Sequence, residues 1–66
     1  MNNYEYYIKV ENLFLRRFAY ESYDKELIIE FTNKYDESFK LDEISAKFIS
    51  NTLKTELNVD SEVYMI

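Results

Sequence analysis

This chain contains neither glycine nor proline. The residues that sit most easily at positive φ, or that lock a turn in advance, are therefore missing, and its turns are expected to be made by Asn, Asp and Ser. The same absence removes the glycine-rich loops that cradle phosphates, so a Walker loop and a dinucleotide fingerprint are both excluded. Cysteine and histidine are missing as well. No disulfide can staple the fold, a zinc site would lack its commonest ligands, and no His-based triad, thiol nucleophile or His general base is available. A domain of 66 residues buries only about 60% of its unfolded surface, so a packed core or association must supply its stability. Five Phe and seven Tyr provide the material, since each aromatic ring buries about 150–250 Å².

The pattern of the first half is period-two alternation. Residues 4–10 place Tyr4, Tyr6, Ile8 and Val10 on one side and Glu5, Tyr7 and Lys9 on the other, as a half-buried strand would. Two further strands are expected over 13–20 and 26–32, with Asn12 and the segment 23–25 as the turns between them. A two-residue loop at Glu11 and Asn12 would pair Val10 with Leu13 and Ile8 with Leu15, and put Phe14, Phe18 and Tyr20 on the other face of the sheet from Tyr6 and Ile8. A three-residue loop over 10–12 pairs Ile8 with Phe14 and Tyr4 with Phe18, and puts Asn12 where φ is usually positive. With a short even turn after Tyr23, Phe18 then faces Phe31 and Tyr20 faces Ile29. One face collects Tyr4, Tyr6, Ile8, Phe14, Phe18, Tyr20, Leu27, Ile29 and Phe31, so the odd loop is the expected one. Arg16 is the lone misfit on that face, expected to snorkel to an edge.

Residues 41–57 read as a helix. Leu41, Ile44, Phe48, Ile49, Leu53 and Leu57 recur at three- to five-residue intervals, which predicts a single apolar stripe. Asp42 and Glu43 suit its N-terminal turn, Lys54 lies near the far end, and Asn58 is the expected left-handed cap. Phe39 and Leu41 are expected to anchor the start of the helix, and residues 63–66 form a last short strand. The expected architecture is one α+β domain over 1–66 in the order β-β-β-α-β, an antiparallel meander packed on one helix. A right-handed crossover would set the last strand beside the first, in parallel.

Thirteen acids against eight bases leave a net charge of −5. That balance disfavours direct contact with nucleic acid and anionic membranes, and favours basic partners; it also simply keeps a small protein soluble. No apolar run is long enough to span a membrane, and the acidic N-terminus is unlike a signal peptide, so a cytoplasmic protein is expected. The carboxylates Asp36, Glu37, Asp42 and Glu43 before and into the helix, and Asp60 and Glu62 at the last strand, match no calcium loop and suit caps and solvated turns. Neither enzyme activity nor a cofactor or metal is expected.

Two surfaces are candidates for a protein partner. The first is the sheet face away from the helix, expected to carry Glu5, Tyr7, Lys9, Leu13, Leu15, Arg17, Ala19, Ile28, Glu30 and Thr32. Tyr7, Leu15, Arg17 and Ile28 would be its contacts, for a partner or a homodimer, although scattered surface apolars are also ordinary. Glu5 and Glu30 on that face, and the lack of an RNP consensus, speak against a stacking platform for single-stranded nucleic acid. The second is acidic: Glu21, Asp24 and Glu26 at one turn, and Asp36, Glu37, Asp42 and Glu43 before the helix. Converging, they would form a negative array for a groove built for phosphates; apart, they are a solvated rim.

Asn, Lys, Ile, Tyr, Phe and Glu dominate, while Gly, Pro, Ala and Arg total four residues, a bias typical of AT-rich genomes. With the Tyr-rich hairpin YEYYIKVENLFLRRF, the segment FKLDEISAKFISNTL and a short final strand, the chain resembles small acidic phage and prophage accessory proteins of low-GC Gram-positive bacteria, including anti-CRISPR inhibitors. The resemblance spans most of the chain and carries over no site residues. It implies an inhibitor of a host nucleic-acid enzyme such as a CRISPR-Cas nuclease, acting through acidic or sheet-face contacts. The alternative is a structural or regulatory homo-oligomer of a phage or prophage.

Overall fold

The computed structural model describes residues 5–21, 23 and 25–66. Four strands, β1 (Tyr6–Val10), β2 (Leu13–Glu21), β3 (Glu26–Thr32) and β4 (Glu62–Met65), form one sheet in the order β3-β2-β1-β4. A short 3-10 turn (Tyr35–Glu37) and the helix α1 (Glu43–Leu57) lie between β3 and β4. The chain is therefore α+β in the order β-β-β-α-β. Tyr4, expected at the start of β1, lies outside the described residues.

The first hairpin uses the two-residue loop, not the three-residue one. Val10 pairs with Leu13 and Lys9 with Phe14, and the residue at positive φ is Glu11, at 54°, not Asn12. The expectation failed because it took the alternation of β2 as unbroken. Leu15 pairs with Phe31 and Arg17 with Glu30, so Arg16 has no partner and forms a bulge. A bulge inserts one residue into one strand and exchanges the faces of everything beyond it. Before the bulge Leu15 faces the helix; after it Phe18 and Tyr20 do, opposite Ile29 and Leu27. Phe14 and Leu15 thus occupy the opposite faces to those expected, and the misfit at Arg16 is the bulge itself.

The bulge also splits the sheet. β1 and β2 pair only at their hairpin end, and the segment before α1 fills the gap that opens beyond it. The Phe39 N–H donates to the Leu15 carbonyl at 2.7 Å, while Leu41 and Tyr6 exchange two backbone bonds of 2.8 and 3.0 Å. Leu41 is buried there, paired to β1 and not part of the helix as expected. Because this segment has already brought the chain back to the start of β1, α1 climbs the sheet again and β4 must descend. β4 accordingly lies beside β1, as expected, but antiparallel, with Ile8 opposite Val63 and Tyr6 opposite Met65.

Local chemistry sets the ends of α1. The Asp42 carboxylate caps the first turn by accepting the Ser45 N–H at 2.7 Å. Asn58 closes the helix in the left-handed conformation, φ 55° and ψ 39°, and its N–H and that of Val59 satisfy the Lys54 and Leu53 carbonyls. Between these caps Ala46, Ile49 and Leu53 face the sheet and close a core with Ile8, Leu15 and Leu41. Ile8, Leu15 and Leu53 are fully buried, each contributing about 1.5–3 kcal/mol through apolar burial. Among the described residues no helix is long and apolar enough to cross a membrane.

Candidate protein-binding surfaces

The outer sheet face carries an aromatic cluster. Pairing of β1 with its two neighbours brings Tyr7, Phe14 and Tyr64 together, and the 3-10 turn lays Tyr35 across them. The Tyr7 ring lies 5.5 Å from Tyr64 in a stacked arrangement, 5.1 Å from Tyr35 edge-on and 5.8 Å from Phe14. Lys40 sits 4.5 Å over the Tyr35 ring and also donates to the Ser38 carbonyl, which ties the turn down. Each ring pair contributes about 0.5–1.5 kcal/mol beyond its burial. The Glu62 carboxylate next to Tyr64, helped by burial, pushes the Tyr64 hydroxyl above its ordinary pKa. Tyr7 is therefore on the expected face, but its ring is engaged with three others of its own chain.

Beyond the cluster the face continues with Arg17, Ala19, Ile28 and Glu30. Arg17 pairs with Glu30 at 3.5 Å, and Ile28 is half-buried beside Ala19. Leu15, expected here as a partner contact, is fully buried under the helix instead; the bulge at Arg16 is the reason. The outer face is thus a tiled aromatic patch at one end and a salt-bridged strip at the other.

The two acidic groups do not meet. Glu21 and Glu26 face each other across the end of the β2–β3 hairpin; Asp24 lies outside the described residues. Asp36 and Glu37 stand past the other end of β3, where Glu37 accepts a hydrogen bond from the Thr32 hydroxyl at 3.0 Å. The seven residues of β3 put about 20 Å between the groups, more than twice the screening length of about 8 Å in physiological salt. Glu21 and Glu26 therefore do not converge with Asp36 and Glu37 into one compact array. Asp42 is occupied as a helix cap, and the bonds it accepts from Ser45 hold its pKa below the ordinary carboxylate value. Among the described residues no group of three His, Cys, Asp or Glu side chains is arranged to hold a metal ion.

A third surface lies outside the two expected from the sequence. The helix lies over β1 and β4. Leu15 is buried and Phe18, Ile29 and Phe31 pack against the core, which leaves the inner face open at the hairpin end of the β2–β3 arm. Phe18, Tyr20 and Leu27 from the arm and Phe48, Asn51, Thr52 and Thr55 from the helix line a trough of about 550 Å³, with Lys25 and Glu56 also lining it. Tyr20 is 62% exposed, Phe48 63% and Ile44, one turn before Phe48, 82%. The expected single stripe on α1 is in fact two faces. At 100° per residue, the positions from Phe48 through Ile49 and Leu53 to Leu57 span about 180° of the helix, wider than one packed stripe needs. That excess arc is the signal in the sequence that marks this trough. No protein-family model matches this chain, and no curated protein or solved structure matches it either.

Proposed function

We propose that this chain works by binding a protein partner, without catalysis, and that an apolar segment of that partner seats in the trough between α1 and the β2–β3 arm. The observation that carries this reading is the pair of aromatic side chains, Tyr20 and Phe48, that line one trough with most of their surface still exposed. Aromatic anchors in a concave site contribute most where a partner desolvates them. The net charge of −5 supports a basic partner, since opposite charge speeds encounter and orients it over distances longer than any contact.

In its narrower form the partner is a nucleic-acid enzyme of a host cell and this chain is its inhibitor, as the resemblance to phage accessory proteins implies. The trough then supplies the affinity. The dispersed acids supply the rate of encounter, because opposite charge orients a basic partner before contact.

The test is a titration of an enzyme captured from a low-GC Gram-positive lysate against three forms of the protein, at low and high salt. Phe48→Asp is expected to weaken binding at least tenfold at both salts. The double reversal of Glu21 and Glu26 to Lys is expected to slow association at low salt only. Binding that survives both Phe48→Asp and Tyr20→Asp would overturn the trough, and a bound enzyme that keeps its full activity would remove the inhibitor reading.

A further inference from the structure

We propose that two copies of this chain pair through β3, antiparallel and centred on Ile29, to make one continuous eight-stranded sheet. The strand order leaves β3 and β4 as the edges. β4 has four residues and β3 has seven, ELIIEFT, with no interruption, because the bulge lies on β2. Edge strands are usually blunted by proline, by a bulge, by charged side chains, above all on the inner face, or by a covering element. β3 has neither of the first two, and both of its charges, Glu26 and Glu30, lie on the outer face. Among the described residues no strand pairs with its outer edge.

The order of side chains on β3 selects one register. In a symmetric antiparallel pair, residues directly opposite share a face, so the axis must pass through a residue and not between two. Centring on Ile28 pairs only five residues and sets Glu26 against Glu30 twice. Centring on Glu30 also pairs five and sets that carboxylate against its own copy. Centring on Ile29 pairs all seven: Leu27 meets Phe31 of the second copy, Ile29 meets itself, Ile28 meets Glu30 and Glu26 meets Thr32. The inner face is then apolar against apolar, and no like charges are directly opposite, the arrangement that cross-strand pairing favours. Arg17 and Arg16 hold Glu30 within its own copy at 3.5 and 4.0 Å, which offsets the acids gathered near the seam.

A strip about 20 Å long falls short of the roughly 800 Å² that each partner gives to a standard interface, so the dimer is expected at micromolar concentrations. In it the two troughs open onto one floor, made from Phe18, Tyr20, Leu27, Ile29 and Phe31 of both copies, with an α1 on each side. The pairing rests on the strand edge alone and does not depend on what the trough binds.

Sedimentation over a range from about 1 to about 500 μM tests it on the wild type, Ile28→Glu and Ile28→Lys. Both substitutions remove the same apolar side chain from the monomer, but one sets a like charge and the other an opposite charge against Glu30 of the second copy. Ile28→Glu is expected to weaken dimerisation about tenfold, and Ile28→Lys to leave it equal or tighter. A wild type that stays monomeric throughout would overturn the proposal, as would a dimer that both variants weaken equally or that neither affects. Amide exchange on the wild type gives a check free of any folding defect: protection across Glu26–Thr32 is expected to rise with concentration, and an unchanged pattern would also overturn the pairing.

Discussion

The inner face of the sheet carries one apolar alternation from edge to edge, yet its two halves end differently. Ile8 on β1 and Leu15 at the near end of β2 are fully buried with Ala46, Ile49 and Leu53, while at the hairpin end of the β2–β3 arm Tyr20 keeps most of its surface exposed. Composition does not explain the contrast, because Phe18, Leu27, Ile29 and Phe31 on the arm are at least as apolar as Tyr6 and Val10 beside Ile8. Geometry does. A helix is about 10–12 Å across, and strands lie about 4.8 Å apart, so one helix covers about two strands of four. The bulge at Arg16 adds to this by bending β2 away from β1, with Phe39 and Leu41 filling the gap. An amphipathic pattern specifies which face of a strand is apolar; whether anything in the same chain covers that face is a matter of how many elements there are.

The sharpest way to break this comparison is to truncate one leucine in each half. Leu53→Ala, at a fully buried position, is expected to cost about 2–5 kcal/mol, a large share of the roughly 3–10 kcal/mol that a domain of this length possesses. Leu27→Ala, in the half-covered trough, is expected to cost less than about 1.5 kcal/mol, because fewer contacts are lost and the space left is open to water. Urea unfolding of the two variants reads both values. Equal costs would mean that the arm is as well packed as the covered half, and the contrast would collapse.

The bulge supplies the next test. Arg16→Ala is expected to change stability by no more than about 0.5 kcal/mol, as for other exposed positions. Deletion of Arg16 leaves Leu15 and Phe18 two positions apart, opposite Phe31 and Ile29 as before, so a regular strand keeps both on the inner face. The deletion is expected to cost less than the roughly 1.5–3 kcal/mol of exposing either side chain. A deletion variant destabilised by that amount or more would show that the extra residue itself is what orients the arm.

How far these features were legible in the sequence follows from how local each one is. Alternation correctly gathered Tyr6, Ile8, Phe18, Tyr20, Leu27, Ile29 and Phe31 onto one face, since a side chain's direction depends only on its strand. It failed at Phe14 and Leu15, because a bulge changes parity without changing composition; the charge of Arg16 on an apolar face was its one trace. The caps Asp42 and Asn58 were readable for the same local reason. The pairing of Leu41 with Tyr6 was not, because it is made by backbone groups 35 positions apart that carry no side-chain signature. Of the candidate contacts, Arg17 and Ile28 do lie on the outer face, and Leu15 was lost through the bulge. The trough is hidden in the spacing, because Ile44 and Phe48 recur at the same short intervals as Ile49 and Leu53 although they point about 100° or more away from Ile49.

The absence of glycine leaves a smaller effect at the turns. Glu11 and Lys25 hold positive φ, 54° and 53°, a conformation that costs a residue with a Cβ about 1–2 kcal/mol. Part of that is returned to the unfolded chain's freedom if glycine is introduced. Glu11→Gly and Lys25→Gly are each expected to stabilise by about 0.5–1 kcal/mol, read as a rise in melting temperature. Glu11→Gly tightens the hairpin that joins the covered half to the arm, whereas Lys25→Gly acts at the arm's own turn. If only the former stabilises, the arm's turn adjusts without strain and the two halves differ in rigidity as well as in burial.

The smallest expected effect belongs to the cap of α1, the element that defines the covered half. Hydrogen bonds from Ser45 hold the Asp42 carboxyl below its ordinary pKa, so the folded state favours the ionised form more than the unfolded chain does. Its contribution is therefore complete above the unfolded value of about 4 and is lost as pH falls through the lower folded value. Asp42→Asn keeps an oxygen that can accept the Ser45 N–H but removes the charge that the helix N-terminus favours. The chain carries other carboxylates, so the informative quantity is the difference in melting temperature between wild type and variant at each pH. That difference should be constant above about pH 5 and shrink below about pH 4, as the wild-type carboxyl protonates and comes to resemble the amide. A difference that ignores pH would mean that the cap acts through its oxygen alone, and that charge at this end of the helix contributes nothing to the covered half.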